Sequence, residues 1–135
     1  MSVKVYIEIE KGSNVKYEYN KESQQLEVDR ILTGSHVYPY AYGFIPHTVA
    51  ADGDDLDALI LCDTALRNDA TYEAYIIGAL QMEDEQGMDE KVICTFEDSE
   101  LGQIHPRVLA EIESFFASYK SETPGKWSRT GGFMG

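Results

Sequence analysis

The chain has 135 residues, enough for one compact domain over residues 1–135 with a real core and too few for two. Its 24 acidic and 11 basic residues give a net charge of −13, which excludes general nucleic-acid binding, where a basic surface is needed. A hydrophobic share of 43% marks a globular chain, and no apolar run approaches the roughly 18–20 residues that span a bilayer.

The first segment, residues 3–10, alternates Val3, Val5, Ile7 and Ile9 with Lys4, Tyr6, Glu8 and Glu10, the period of a half-buried strand. It carries no apolar leader and no small-residue cleavage site, so a cytoplasmic location without a membrane partner is expected. Lys11–Asn14 is a turn cluster. Residues 15–19 and 26–30 predict two further strands joined by a polar connection. Tyr38-Pro39-Tyr40-Ala41-Tyr42-Gly43-Phe44-Ile45-Pro46 follows; its prolines exclude helix and suggest an edge strand or an ordered loop. Residues 71–82 and 91–96, rich in Tyr, Ile, Val and Thr, predict two more strands. Cys62 and Cys94 lie among apolar neighbours and read as core thiols rather than a disulfide or a zinc site.

One helix is predicted near the end. Val108, Leu109, Ile112, Phe115, Phe116 and Tyr119 recur at three- and four-residue spacing, Pro106 suits the first turn, and Pro124-Gly125 follows the last. The fold class is therefore α+β and mainly β, a barrel or curled sheet with one packed helix.

Chemistry concentrates in two acidic segments. In Asp52-Gly53-Asp54-Asp55-Leu56-Asp57, three carboxylates around a glycine can converge on one point. Asp84-Glu85-Gln86-Gly87-Met88-Asp89 repeats the arrangement after a strand. Either segment alone reads as a solvated polar loop. An EF-hand fails on spacing, because Asp57 stands sixth from Asp52 where glycine is required. Carboxylates this close raise one another's pKa unless positive charge sits among them, and divalent cations are the simplest source of it. The scarce cations support this: Lys16, Arg30 and Lys91 fall within apolar strand-like stretches, and Lys120 closes the helix. Carboxylates for metals with Lys, Arg and Tyr for oxyanions is what phosphoryl transfer requires.

Together these segments resemble the family I soluble inorganic pyrophosphatases. Asp52-Gly53-Asp54-Asp55-Leu56-Asp57 is similar to that family's D-G-D-x-x-D signature. Lys16-Tyr17-Glu18, Val28-Asp29-Arg30, Tyr38-Pro39-x-x-Tyr42-Gly43, Asp84-Glu85-x-Gly87-x-Asp89-x-Lys91 and Phe115-Phe116-x-x-Tyr119-Lys120 match its other segments in order. The resemblance implies a five-stranded, OB-like barrel with an acidic bowl that hydrolyses pyrophosphate to two phosphates. It implies that Asp52, Asp57 and Asp89 bind activating Mg²⁺, with Mn²⁺ as a substitute, and that Asp84 joins Asp89 in binding metal that arrives with substrate. Glu8 and Glu18 would line the same bowl, and Asp54 would be the general base. Lys16, Arg30, Tyr42, Lys91, Tyr119 and Lys120 would hold the phosphates, and Tyr38 would support the metal and nucleophile site. A homo-oligomer is implied as well, although the usual C-terminal helix has no counterpart after Trp127. The rival readings are hydrolysis of another phosphoanhydride and a non-catalytic metal- or phosphate-binding module on a shortened scaffold. No Gly-rich phosphate loop supports the first, and the presence of Asp54, Lys16, Arg30 and Lys120 speaks against the second.

Overall fold

The computed structural model describes residues 2–49, 53–120 and 125–135. In chain order its strands are β1 (Ser2–Ile9), β2 (Val15–Asn20), β3 (Gln25–Ile31), β4 (Ala41–Ile45), β5 (Leu56–Ile60), β6 (Ala70–Asp84), β7 (Gly87–Met88), β8 (Lys91–Thr95) and β9 (Ser128–Met134). Among the described residues one α-helix, α1 (Pro106–Ser118), lies between β8 and β9, preceded by a single 3-10 turn at Leu101–Gln103.

Five strands close on themselves. β1 pairs antiparallel with β4, β4 with β5, and β5 runs parallel to β8. β8 pairs antiparallel with β6, which returns to β1. This ring is the five-stranded, OB-like barrel expected from the sequence. Its β6 member is 15 residues long, and its far half also pairs with β7 and β9. β2 and β3 form a separate two-stranded sheet.

Alternation along the strands divides the core in two. Val92 and Cys94 of β8 pack with Val5, Ile7, Ala58, Ile60 and Ala74, while Ile93 of the same strand joins Tyr38, Tyr42, Leu59, Phe115 and Phe116. The second cluster is the seam between ring and helix. Ile112, Phe115 and Phe116 are the fully packed residues of α1, and burying each is worth about 1.5–3 kcal/mol. Pro106 sits in the first turn as expected, and His105 caps it, its Nδ1 accepting from the Arg107 N–H at 3.0 Å.

Two glycines are dictated by close approach. A Cβ on Gly43 would stand 1.7 Å from the Tyr6 carbonyl oxygen, beside an irregularity in the register of β1. On Gly78 it would stand 2.5 Å from the Met134 carbonyl oxygen, where β9 crosses the bulge of β6.

The tyrosine-rich segment differs from the reading as an edge strand or loop. Its second half is β4, paired on both sides within the ring. Pro39 and Pro46 fall just outside the strand, so neither removes a ladder hydrogen bond. β5 and β9 were not anticipated. Cys94 is buried, and burial pushes its thiol up to about 12; Cys62 is only half-buried. Among the described residues no helix is long and apolar enough to cross a membrane.

Candidate active site

An open bowl of about 220 Å³ lies where the ring, the β2–β3 hairpin and the end of α1 meet. Its deepest charged group is Lys91, the first residue of β8, whose side chain is 3% exposed. Strand pairing sets it directly opposite Asp57 of β5. Its ammonium group donates to Asp57 Oδ2, Asp89 Oδ2 and the Tyr42 hydroxyl, each at 2.8 Å, which uses all three of its protons. The Nζ also lies 5.3 Å from the Tyr42 ring centre and 5.5 Å from that of Phe116. Burial works against the charge, but Tyr42, Asp57, Tyr119 and Asp89 outweigh it and hold the Lys91 pKa well above its ordinary value. Asp89 moves the other way: burial raises it, Lys91 opposes, and Asp57 and Asp84 add to the rise.

The opposite wall is built by the β6–β7 turn and the residues after α1. Lys120 donates to Asp84 at 2.9 Å and stands 3.6 Å from Glu85, which Lys126 approaches at 3.5 Å. For Asp84, burial pushes the carboxyl up, yet the Lys120 and Gln86 N–H hydrogen bonds bring it below its usual range. Tyr119 packs under Lys120, with its ring 5.4 Å from Phe115. The Arg30 guanidinium lies 5.9 Å from the same ring.

The hairpin supplies the third wall. Lys16 donates to Asp29 at 2.8 Å, a hydrogen bond that lowers the Asp29 pKa. Glu8 of β1 is buried and accepts from the Tyr19 N–H at 2.8 Å, tying the ring to β2. Burial lifts Glu8 to about 7; the Tyr19 N–H pulls it down, while Asp57 and Glu18 push it further up. Asp54 lies exposed at the mouth, following Gly53, whose φ of 88° turns the chain there.

Glu8, Lys16, Glu18, Tyr42, Asp54, Asp57, Asp84, Asp89, Lys91, Tyr119 and Lys120 all line this one bowl. Arg30 and Tyr38 are not in its lining. Tyr38 lies fully buried beneath it, against Tyr42 and Phe115, and its hydroxyl makes no hydrogen bond among the described residues. Asp52 lies outside the described residues. Tyr17, Tyr19, Lys21, Phe44, Asp55 and Gln86 complete the lining. Sequence reasoning gave them no role, although Tyr17, Phe44, Asp55 and Gln86 lie inside segments it singled out.

The lining suits divalent cations. Seven carboxylates face four ammonium groups, every acidic donor is a hard oxygen, and no cysteine or histidine intrudes. Among the described residues Glu8 accepts one hydrogen bond for a buried carboxyl. Among the described residues no three acidic, histidine or cysteine side chains are grouped tightly enough to hold one ion; Lys91 occupies the space between Asp57 and Asp89.

Comparison with known proteins agrees with this geometry. The family profile described as inorganic pyrophosphatase matches residues 5–135. The inorganic pyrophosphatase of Helicobacter pylori is 43% identical over 98% of this chain and 82% of its own length. That of Saccharolobus solfataricus is 40% identical over 97% and 81%. The solved Helicobacter pylori enzyme superposes with a TM-score of 0.94 over 98% of this chain and 83% of that one. The Thermus thermophilus enzyme, 38% identical, gives 0.93 over 98% and 81%. The chain belongs to the inorganic pyrophosphatase family.

Proposed function

We propose that the bowl hydrolyses inorganic pyrophosphate to two phosphates with the help of Mg²⁺, for which Mn²⁺ can substitute. The observation that carries this reading is the gathering in one bowl of Asp57, Asp89 and Asp84 with Lys91 and Lys120: acids to attract cations, a buried ammonium group to hold two of them in place, and the Lys120 ammonium group to receive phosphoryl oxygens. Asp57, Asp84 and Asp89, with Asp52, would hold the metals, and Glu8 and Glu18 would add negative charge to the same bowl. When bound, the cations supply Lewis acidity that lowers the pKa of a coordinated water and neutralises phosphoryl charge.

The chain's own residues supply the rest. Asp54, at the mouth and open to solvent, accepts a proton from the attacking water. Lys16, Lys120 and Tyr119 orient the two phosphates and stabilise charge on the departing one, and Arg30, against the Tyr119 ring, adds positive charge behind them. Tyr42 shares the Lys91 ammonium with Asp57 and Asp89, so all three are held in one position before substrate arrives. Tyr38 supports that floor by packing. An acidic bowl repels an anionic substrate unless cations enter with it, so turnover should depend steeply on the divalent metal. We further assign the protein to the cytoplasm as a homo-oligomer.

Phosphate release from pyrophosphate at neutral pH, with millimolar Mg²⁺ and then with excess chelator, tests the reading. Rapid release that chelator abolishes is expected. Folded protein that releases no phosphate with Mg²⁺ or Mn²⁺ would overturn it.

A further inference from the structure

A second recess of about 430 Å³ adjoins the bowl and shares four of its walls, Tyr19, Lys21, Phe44 and Asp55. Its character is different. Tyr6, Tyr19 and Phe44 pack as a three-ring wall, with centres 5.3 Å apart for Tyr6–Tyr19 and Tyr6–Phe44 and 6.1 Å for Tyr19–Phe44. The Tyr6 hydroxyl is committed to Asp69 at 2.7 Å, which fixes that ring. Phe44 is the one residue of β4 that is not buried. It stands two residues beyond Tyr42 on the same face of the strand, so bowl and recess follow each other about 7 Å apart. Tyr19 stands in the same relation to Tyr17 on β2. At the boundary Lys21 faces Asp55 at 3.7 Å, one donor and one acceptor between an aromatic wall and a phosphate-binding floor.

A ligand that fills both spaces needs a planar ring at one end and several phosphates at the other. We infer that the recess takes the base of a nucleoside triphosphate whose phosphate chain enters the bowl, so that such nucleotides compete with pyrophosphate. The inference rests on the reading of the bowl as a pyrophosphate site. The base lies against Phe44 and Tyr19, and Lys21 leaves Asp55 to meet the chain as it passes. Stacking on aromatic side chains is indifferent to base identity, so adenine and guanine nucleotides bind alike.

The test compares ATP with inorganic tripolyphosphate, which has the tail and no ring. Binding is measured by calorimetry in Mg²⁺, which needs no turnover, and competition by inhibition of pyrophosphate hydrolysis. ATP is expected to bind at least about fivefold more tightly than tripolyphosphate. Phe44→Leu, which removes the ring face, should bring the two affinities together. So should Thr71→Leu, which crowds the recess from β6 across from Tyr6 and should leave the kcat and KM for pyrophosphate unchanged. Equal affinities in the unmodified protein, or a preference for ATP that survives both substitutions, would overturn the inference. A protein that releases no phosphate from pyrophosphate yet keeps a Phe44-dependent preference for ATP would remove the proposed function and leave the recess standing.

Discussion

The inside of the strand ring and its helix-covered flank are both buried, yet they are made of different side chains. Val5, Ile7, Ala58, Ile60, Ala74, Val92 and Cys94 fill the inside, none of them aromatic. The flank holds Tyr38, Tyr42, Phe115, Phe116 and Tyr119, with the Lys91 ammonium against the rings of Tyr42 and Phe116. Small aliphatic residues fit the taper of a five-stranded ring and offer nothing to bond with. Tyrosines bury a large apolar body and still present a hydroxyl, so a charged group can be set among them. The inside of the ring thus serves stability, while Glu8, Tyr42, Asp57 and Lys91 from the same strands face outward into the bowl.

Substitutions can break that separation or sharpen it. The largest effect on rate is expected at the exposed mouth: Asp54→Asn should lower kcat by about 10²–10⁴ through loss of the base, with no change in the thermal midpoint and metal binding retained in calorimetry. Lys91→Met should damage both properties. It leaves Asp57 and Asp89 facing each other without their shared cation, at about 3–5 kcal/mol of stability, and urea unfolding together with phosphate release would register both losses.

Glu8, which ties the ring to β2, makes stability depend on pH. Below about pH 4.5 its carboxyl is protonated in folded and unfolded chains alike; between there and about 7 only the folded chain keeps the proton. Stability of the metal-free protein should therefore fall as pH rises through that window, by up to about 3 kcal/mol. Glu8→Gln should flatten that dependence in unfolding curves collected from pH 4 to 8. The smallest effect is expected inside the ring, where Ile60→Val should cost about 1 kcal/mol and leave kcat and KM unaltered.

Strands with clear alternation or β-branched content were legible in the sequence, as was the helix, whose apolar spacing and Pro106 both pointed to its place. β5 was hidden because Asp57, read as the end of an acidic loop, is a residue of the strand itself, and its carboxylate is aimed by pairing with Lys91 rather than by loop geometry. β9 contains Gly131 and Gly132, which give no side-chain period; it exists because the far half of β6 extends past the ring and needs a partner. At the site, residue types in order were enough to gather eleven of the expected side chains into one bowl. The aromatic recess was not legible, since Tyr6, Tyr19 and Phe44 come from three strands and meet only after the ring closes. Tyr38, expected as part of the site, lies beneath its floor for the same reason: its neighbours are helix residues distant in sequence.

The lysine lodged between Asp57 and Asp89 has one more consequence. Two acids that would otherwise repel are reconciled by a cation the chain carries covalently, so this pair is balanced from within the sequence. Any divalent cation drawn to these two carboxylates would have to compete with an ammonium group already bonded to both.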